Sequence, residues 1–330
     1  MITTDTIIVG GGPAGSSCAW KLNRAGRDCL VLDRETFPRT KLCAGWITPE
    51  VVEDLEMDPE TYPHSFMTFP AMHVHIFGLS FAIPVPQHSI RRYEFDRWLL
   101  ERSGAEVANH YVQDIRREGG FYVIDGKYRC TYLVGAGGTR CPIYRTLFAP
   151  AAPRSADMQV VALEQEFPYH WHNGECHLWF FQGGLRGYSW YVPKAGGHLN
   201  VGVGGIADSL KRRKDTIKNH WAPFTRTLHD ARLIDGIDFE TGGYSYYLRD
   251  AADVGRRDNA FVVGDAAGLA TRDMAEGIGP AIRSGFRAAE AITGGRPFGY
   301  DDAARFSTVN EVARRLKGSK IFAPRRRAAA

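Results

Sequence analysis

A glycine-rich loop near the start of the chain constrains the fold more than any other feature. Residues 10–15 have the sequence GGGPAG and satisfy the pattern G-x-G-x-x-G. The loop follows a short β-branched segment, residues 6–9, and precedes residues 16–24, whose apolar residues have helical spacing. A strand, a glycine loop and a helix in this order predict a βαβ unit that binds a dinucleotide.

The glycines of such a loop have separate roles. Gly10 permits the tight turn, Gly12 lets the backbone approach a pyrophosphate, and Gly15 lets the helix pack close to the strand. The helix N-terminus favours the negative charge of the pyrophosphate. A second predicted strand, residues 29–32, is followed by Asp33, an acid placed to bind a ribose hydroxyl. The motif by itself suits FAD and NAD equally.

A second strand end carries residues that suit a flavin. Residues 260–263 form a predicted apolar strand that runs into Gly264 and Asp265, whose carboxylate is placed to accept hydrogen bonds from a sugar-like chain. Further on, residues 277–279 open a helix predicted over residues 279–292. The N-terminal amides of that helix favour the charge that a reduced flavin carries near N1 and C2=O. A plain turn with a capping aspartate is the alternative.

The order of strands and helices predicts an α/β protein with a discontinuous Rossmann-type FAD-binding domain and a central parallel sheet. Period-two alternation elsewhere predicts an inserted antiparallel β-sheet lobe that binds the substrate, interrupted by one helix around residues 209–221. The predicted boundaries are residues 1–60, 90–150 and 250–300 for the FAD-binding domain, 61–89 and 151–249 for the substrate lobe, and 301–330 for a C-terminal helix and tail.

Bulk properties exclude several classes of protein. The net charge of +4 is too weak to indicate nucleic acid as a partner. No segment approaches the roughly 20 apolar residues that span a bilayer and no secretory signal is evident, so the predicted location is cytoplasmic. Three arginines, residues 325–327, allow membrane contact without indicating it. The cysteines form no CxxC pair, and the histidines near residues 73–75 and 170–177 lack supporting acids, so no metal site is predicted.

Three segments occur in the order seen in flavoproteins similar to para-hydroxybenzoate hydroxylase: GGGPAG, RYEFDRWLL at residues 92–100, and GDAAG followed by GIGPAIRSG. Within that superfamily the chain resembles the geranylgeranyl reductase group. The likeness rests on the loop PRTKLCAG at residues 38–45, the strand YSWYVPK at residues 188–194 and the glycine-rich NVGVGG that follows. The resemblance implies a para-hydroxybenzoate hydroxylase-like fold and an FAD cofactor.

The resemblance also implies residue roles. The glycine loop surrounds the pyrophosphate, Asp33 binds the adenosine ribose, and Arg92 approaches the phosphate or ribityl region. Asp265 binds the ribityl chain, residues 277–279 lie at the pyrimidine edge, and residues 43–45 lie near the flavin ring. The full implied cofactor-binding set is Gly10, Gly12, Pro13, Ala14, Gly15, Asp33, Arg34, Cys43, Ala44, Gly45, Arg92, Val112, Gly264, Asp265, Gly277, Ile278 and Gly279.

Candidate catalytic residues are Cys43, Lys41 and Trp190. Cys43 is either a polarizable thiol beside the flavin that positions substrate or donates a proton, or a small side chain that fills a tight loop. Lys41 either holds a charged substrate or is a solvated loop residue. Aromatic residues on alternating strands either line an apolar substrate pocket or form ordinary core. The predicted pocket residues are Trp179, Phe181, Tyr188, Trp190 and Pro193.

The chain departs from the superfamily at three points. An Asp-Gly pair usually follows the third-segment strand, whereas residues 135–140 have the sequence GAGGTR. The cysteine loop has CAG in place of CGG, and the chain ends soon after the predicted flavin helix. The expectation is a substrate cavity that is more open, or that a partner completes.

The function expected from these features is FAD-dependent reduction of a carbon–carbon double bond in an apolar, isoprenoid or lipid-like substrate, with hydride from flavin N5. The electron donor is NAD(P)H or reduced ferredoxin, the latter an electron-donor protein that would bind as a partner. One alternative is a flavin monooxygenase or halogenase that acts through a C4a-oxygen adduct. The other is a flavin electron-relay subunit without turnover of its own.

Overall fold

The structure is a computed structural model that describes residues 1–250, 254–301 and 303. Numbered along the chain, the strands are β1 (Ile2–Val9), β2 (Cys29–Asp33), β3 (Trp46–Ile47), β4 (Phe66–Phe69), β5 (Met72–Ile76), β6 (Leu79–Ile83), β7 (Gln87–Ile90), β8 (Glu106–Asn109), β9 (Ile115–Glu118), β10 (Phe121–Ile124), β11 (Tyr128–Gly135), β12 (Gln159–Pro168), β13 (Cys176–Phe180), β14 (Gly187–Lys194), β15 (His198–Ile206), β16 (Gly242–Tyr247), β17 (Arg256–Arg257) and β18 (Ala260–Val262). The α-helices are α1 (Pro13–Arg24), α2 (Pro49–Asp54), α3 (Arg92–Ser103), α4 (Ala207–Arg212), α5 (Lys218–Asp230) and α6 (Ile278–Ile292).

The first sheet has a parallel centre in the order β18-β11-β1-β2-β8. Two additions extend it: β17 pairs antiparallel with β18, and the hairpin β9–β10 pairs antiparallel with β11. All five residues of β2 are buried, as expected for a parallel strand covered on both faces. On one face α1 packs against α6 and α3, and on the other β9 and β10 contribute to a second apolar core. This sheet confirms the predicted α/β fold.

The second sheet has the order β16-β12-β15-β14-β13-β5-β6. Its neighbours are antiparallel apart from β13 and β5, which run parallel. The helix α5 covers the outer face, where Phe224 and Leu228 pack against Trp179 and Tyr191. The opposite face is turned toward the parallel sheet. A small sheet in the order β3-β7-β4 joins the two parts of the molecule.

One helix beside the antiparallel sheet differs from its prediction. The single helix expected around residues 209–221 is two helices, α4 and α5, because the chain turns sharply between them. Lys214 adopts a left-handed conformation with φ of 54°, and the Asp215 carboxylate accepts the N–H of Thr216. A left-handed residue cannot continue an α-helix, so α4 ends at Arg212 and a new helix begins at Lys218.

The predicted C-terminal helix and tail at residues 301–330 lie outside the described residues, apart from residues 301 and 303. Among the helices that the structure does describe, none has the length and apolar character needed to cross a membrane.

Candidate active site

A cavity of about 710 Å³ lies between the parallel sheet and the inner face of the antiparallel sheet. The carboxyl ends of β1, β2 and β11 contribute Val9, Asp33 and Ala136 to its wall. The first residues of α1 and α6 border it, and β14 and β16 supply aromatic side chains opposite them. Open α/β sheets bind ligands in the crevice outside the carboxyl ends of their strands, and the cavity occupies that position.

The glycine loop forms one end of the cavity and fits a pyrophosphate. Gly10 has φ of 111°, and a Cβ atom there would lie 2.4 Å from the carbonyl oxygen of Ala136. At Gly15 a Cβ atom would lie 1.9 Å from the Gly10 carbonyl oxygen. Gly12, Pro13 and Ala14 line the cavity, and no side chain among the described residues caps the N-terminus of α1. The amides left free there are a site for an anion.

Arg39 adds positive charge beside this loop. Its Nη2 atom lies 3.3 Å from the position that a Cβ atom of Gly12 would occupy. The same guanidinium forms an ion pair of 3.2 Å with Asp96. Sequence reasoning did not single out Arg39, although it belongs to the loop PRTKLCAG.

Asp33 is fixed at the cavity wall by two backbone hydrogen bonds. Its Oδ2 atom accepts the N–H of Gly11 at 2.7 Å and its Oδ1 atom accepts the N–H of Glu35 at 2.9 Å. A carboxylate has about four acceptor positions, so both oxygens can still accept a hydroxyl. The predicted residues Arg34 and Val112 also line the cavity. The cradle therefore suits a ribose beside a pyrophosphate.

Asp265 and the N-terminus of α6 border the cavity from the third stretch of sequence. Asp265, Gly277 and Ile278 line it, whereas Gly264 and Gly279 do not. The N–H of Gly264 donates to Ser284 Oγ at 2.9 Å and the N–H of Gly279 donates to Glu276 Oε1 at 2.8 Å. Burial raises the pKa of Glu276 to about 7, and this hydrogen bond opposes the shift. An ionisable carboxyl group therefore lies at the start of α6, in the cavity wall.

Arg92 lines the cavity but its charge is already paired. Its Nε and Nη2 atoms donate to the two oxygens of Asp96 at 2.6 and 2.8 Å. Both side chains are buried, and a bidentate pair of this kind holds the guanidinium in one orientation. Arg92 also contacts Cys43. The structure therefore places Arg92 between Asp96 and the cysteine loop, at the cavity.

A buried ammonium group holds the loop that carries Cys43 in place. Lys194 Nζ donates to the carbonyl oxygens of Ala44 and Ile90, the latter at 2.7 Å. Burial lowers the pKa of this lysine below its usual value. Cys43 is half-buried and lines the cavity together with Ala44, whereas Gly45 packs behind them against Lys194. Lys194 thus fixes the backbone on which the thiol is presented.

Lys41 lies in the same wall. Its Nζ atom is 5.5 Å from the centre of the Tyr244 ring, a cation–π contact.

The antiparallel sheet contributes an aromatic wall made by Tyr188, Trp190, Tyr244 and Tyr246. The indole of Trp190 lies across Gly202, and its Nε1 atom donates to Asn200 Oδ1 at 2.7 Å. The Tyr188 hydroxyl donates to the carbonyl oxygen of Met274 at 2.6 Å. The glycine-rich β15 therefore makes room for large rings on the strands beside it.

The structure does not bring the other predicted pocket residues to this cavity. Trp179 pairs with Ser189 across β13 and β14, so it shares the face opposite to that of Tyr188 and Trp190. There it packs against Phe224. Pro193 pairs with Leu199, whose side chain belongs to the same outer core. Phe181 follows β13 in a left-handed conformation, is 42% exposed, and stacks on Phe77.

Sequence reasoning missed a buried polar cluster behind the aromatic wall. Glu164 on β12 is 1% exposed and accepts hydrogen bonds from Tyr244 at 3.1 Å and Asn200 at 3.4 Å. Asn200 also donates to the Cys43 carbonyl oxygen at 3.3 Å. The sequence does contain a signal for this cluster. Val160, Ala162 and Glu164 occupy alternate positions on the inward face of β12. A glutamate at an inward position of such a strand indicates a polar site.

Comparison with known proteins supports the same interpretation. Residues 8–73 match the family described as NAD(P)-binding Rossmann-like domain. An uncharacterized protein of Methanosarcina barkeri is 30% identical over 329 residues, covering 95% of this chain and 81% of the relative. A menaquinone reductase of Mycobacterium tuberculosis is 27% identical, covering 88% and 76%. Digeranylgeranylglycerophospholipid reductase 2 of Methanopyrus kandleri is 28% identical, covering 80% and 70%.

Among solved structures, a geranylgeranyl bacteriochlorophyll reductase-like protein from Thermoplasma acidophilum superimposes with a TM-score of 0.73 at 18% identity. The superposition covers 96% of this chain and 84% of the other. The fold and site together define a flavin-dependent oxidoreductase with the para-hydroxybenzoate hydroxylase-like fold. Within that class, the chain belongs to the geranylgeranyl reductase-like family.

Proposed function

We propose that this protein is an FAD-dependent reductase that saturates a carbon–carbon double bond in an isoprenoid chain of a lipid. The observation that carries the proposal is a single cavity that joins the dinucleotide cradle at Gly12 and Asp33 to the aromatic wall at Tyr188 and Trp190. A relative named digeranylgeranylglycerophospholipid reductase and another named menaquinone reductase support a lipid of this kind. An apolar chain suits an aromatic wall.

In this proposal the dinucleotide cradle holds FAD. The amides at the start of α1 bind the pyrophosphate, Asp33 binds the adenosine ribose, and Asp265 binds the ribityl chain. When bound and reduced, the flavin supplies the hydride for the reaction. The N-terminus of α6 stabilises negative charge at that end of the cavity. NAD(P)H or a reduced ferredoxin-like protein supplies the electrons.

The candidate catalytic residues take defined places in the same proposal. Cys43 positions the substrate from a loop that Lys194 anchors, and Trp190 forms the wall against which the apolar chain packs. Lys41, beside Tyr244, holds the polar end of the lipid. The aromatic side chains exclude water from the reacting bond.

The test is a single-turnover experiment under anaerobic conditions. Purified protein, photoreduced to the two-electron level, is mixed in a stopped-flow instrument with digeranylgeranylglycerophospholipid in micelles. The matched control is the same phospholipid with fully saturated chains, which offers no double bond. We expect rapid reoxidation of the flavin by the unsaturated lipid only, with two hydrogens added to the lipid per flavin by mass spectrometry.

Other outcomes would identify the competing activities. Hydroxylated or halogenated product formed only when oxygen is admitted would establish a monooxygenase or halogenase and overturn the proposal. Rapid electron exchange with a ferredoxin, without change in any lipid, would indicate an electron-relay subunit. A purified protein that neither retains nor takes up FAD would overturn the flavin assignment itself.

A further inference from the structure

A buried carboxyl group lies directly behind the aromatic wall of the cavity. Glu164 is 1% exposed and sits on the inward face of β12, across from Gly202 on β15 and Gly242 on β16. Neither of these two neighbours has a side chain. The ring of Trp190 lies over Gly202 and so packs next to Glu164. Burying an ionised carboxyl group is costly unless it is paired and hydrogen-bonded, and burial therefore favours the neutral form.

One hydrogen bond connects this carboxyl group to the cavity. The hydroxyl of Tyr244 donates to Glu164 Oε2 at 3.1 Å, while the side chain of Tyr244 itself lines the cavity. On the other side, Asn200 Nδ2 donates to Glu164 Oε1 at 3.4 Å. Glu164 thus contacts the cavity through a phenol, a group able to give one proton and take another.

Tyr188 in the same wall provides a contrast. Its hydroxyl donates to the carbonyl oxygen of Met274 at 2.6 Å. A backbone carbonyl holds no proton to return, so a Tyr188 phenolate would not be reloaded from its partner. Tyr244 is bonded to a group that can reload it.

We propose that Tyr244 and Glu164 form the proton-delivery path of the reaction, with Tyr244 as the proton donor to the substrate and Glu164 as the group that reprotonates Tyr244. This inference rests on the proposed reductase function and deepens it. It assigns a catalytic role to Tyr244 and a positioning and reloading role to Glu164.

The proposed reaction adds one hydride and one proton across the double bond. One olefinic carbon would receive a hydride with its electron pair from a reduced flavin held in the dinucleotide cradle, and the π bond would break. The other olefinic carbon forms a new C–H bond with the proton of the Tyr244 hydroxyl. The phenolate then takes the proton of the Glu164 carboxyl group, which becomes a carboxylate. After product leaves, water in the cavity returns one proton to the pair through Tyr244.

The protonation states suit these roles. Burial raises the pKa of Glu164 to about 7, so a sizeable fraction of the carboxyl group is protonated near neutral pH. Burial and the nearby Glu164 raise the pKa of Tyr244 well above its usual value, so the phenol is protonated when substrate binds. The ionisable groups that face Glu164 are Tyr244 and Tyr246 on β16, Lys194 on β14 and the Cys43 loop, whose backbone donates to the carboxyl group.

The test compares Tyr244→Phe and Glu164→Gln with the unmodified protein in the single-turnover assay, from about pH 6 to about pH 8.5. For the unmodified protein we expect the rate of flavin reoxidation by the lipid to fall as pH rises through about 7, as Glu164 loses its proton. Each variant should lower the rate by roughly 100-fold, the ordinary size of a general-acid effect, and abolish this pH dependence. Tyr93→Phe, an exposed tyrosine of α3 that does not line the cavity, is the control and should retain both the rate and its pH dependence.

A readout without turnover accompanies the assay. Infrared difference spectra between about pH 6 and about pH 8.5 are taken on FAD-loaded protein that carries Glu276→Gln, because Glu276 titrates in the same range. They should contain the carbonyl band of a buried protonated carboxyl group. The band should be missing when Glu164→Gln is added and unaffected by Tyr93→Phe. Far-ultraviolet circular dichroism establishes that each variant is folded.

The outcomes separate this inference from the function on which it rests. If the unmodified protein reduces the lipid but Tyr244→Phe keeps the rate and its pH dependence, the proton path is overturned and the reductase stands. The same conclusion follows if the infrared band persists in Glu164→Gln. If the unmodified protein transfers no electrons to any unsaturated lipid, the proposed function fails and the proton path fails with it.

Discussion

The ring of Trp190 occupies the space that a side chain at Gly202 would need. A Cβ atom at Gly202 would lie 2.1 Å from Trp190 Cζ2, well inside the contact distance. The two residues pair directly across β14 and β15, and both face the cavity. The conformation of the aromatic wall therefore depends on the absence of a side chain on the neighbouring strand.

Gly202→Ala should consequently displace the indole and break its hydrogen bond with Asn200. We expect a loss of about 1–3 kcal/mol in the free energy of unfolding, the usual cost of overpacking a core. Urea denaturation followed by tryptophan fluorescence measures it. The matched control is Gly204→Ala, two residues along β15, where a Cβ atom would lie 3.4 Å from Trp190 Cζ3 in ordinary contact. Equal losses in the two variants would contradict the assigned packing.

Gly12→Val should abolish flavin binding without unfolding the protein. A side chain at Gly12 enters the cavity beside the N-terminal amides of α1 and Arg39, where the pyrophosphate is expected. The purified variant should lack the flavin absorbance of the unmodified protein and fail to gain it on incubation with FAD. Gly295→Val, at an exposed glycine with ordinary backbone angles, is the control and should remain yellow. A Gly12→Val protein that is still yellow would mean that the pyrophosphate binds elsewhere.

Lys194→Met should loosen the loop that presents Cys43. The ammonium group bonds to the carbonyl oxygens of Ala44 and Ile90, and methionine has a similar length but no donor. Alkylation of Cys43 by iodoacetamide should then proceed several-fold faster, measured by peptide mass spectrometry. Cys43 is half-buried and the other five cysteines are buried, so the signal is specific. Lys41→Met leaves those bonds intact and should alter the rate little.

The fold around the parallel sheet was predicted well from the sequence because its signals are local. The strand–glycine–helix order at residues 6–24 and the acid at Asp33 lie within one βαβ unit, whose geometry sequence spacing determines. The break between α4 and α5 was missed because the left-handed conformation of Lys214 is not favoured by lysine itself.

The cavity wall was harder to predict because it depends on register between distant strands. Trp179 and Trp190 lie on neighbouring strands, and only the pairing of Trp179 with Ser189 decides that they face opposite sides. The link from Glu164 to Tyr244 spans 80 residues. A pattern within one strand shows which positions share a face, but not which partner comes to lie opposite.

Glu276 gives a prediction about pH and the flavin potential. Its carboxyl group accepts the N–H of Gly279 at the start of α6 and lines the cavity where the proposed flavin carries its negative charge on reduction. Burial raises the pKa of Glu276 to about 7, so the group is mostly neutral at about pH 6 and mostly ionised at about pH 8. An ionised carboxylate repels the reduced flavin and lowers its reduction potential, whereas a neutral one does not.

Glu276→Gln, which is neutral throughout, should therefore have the potential of the unmodified protein at about pH 6 and a higher one at about pH 8. A Coulomb term of about 1–2 kcal/mol corresponds to a difference of about 20–40 mV for a two-electron couple. Spectroelectrochemical titration of the FAD-loaded proteins measures it. Glu290→Gln, in the last turn of the same helix and outside the cavity, is the control and should shift the potential at neither pH. A difference between Glu276→Gln and the unmodified protein that is the same at both pH values would mean that Glu276 does not titrate in this range.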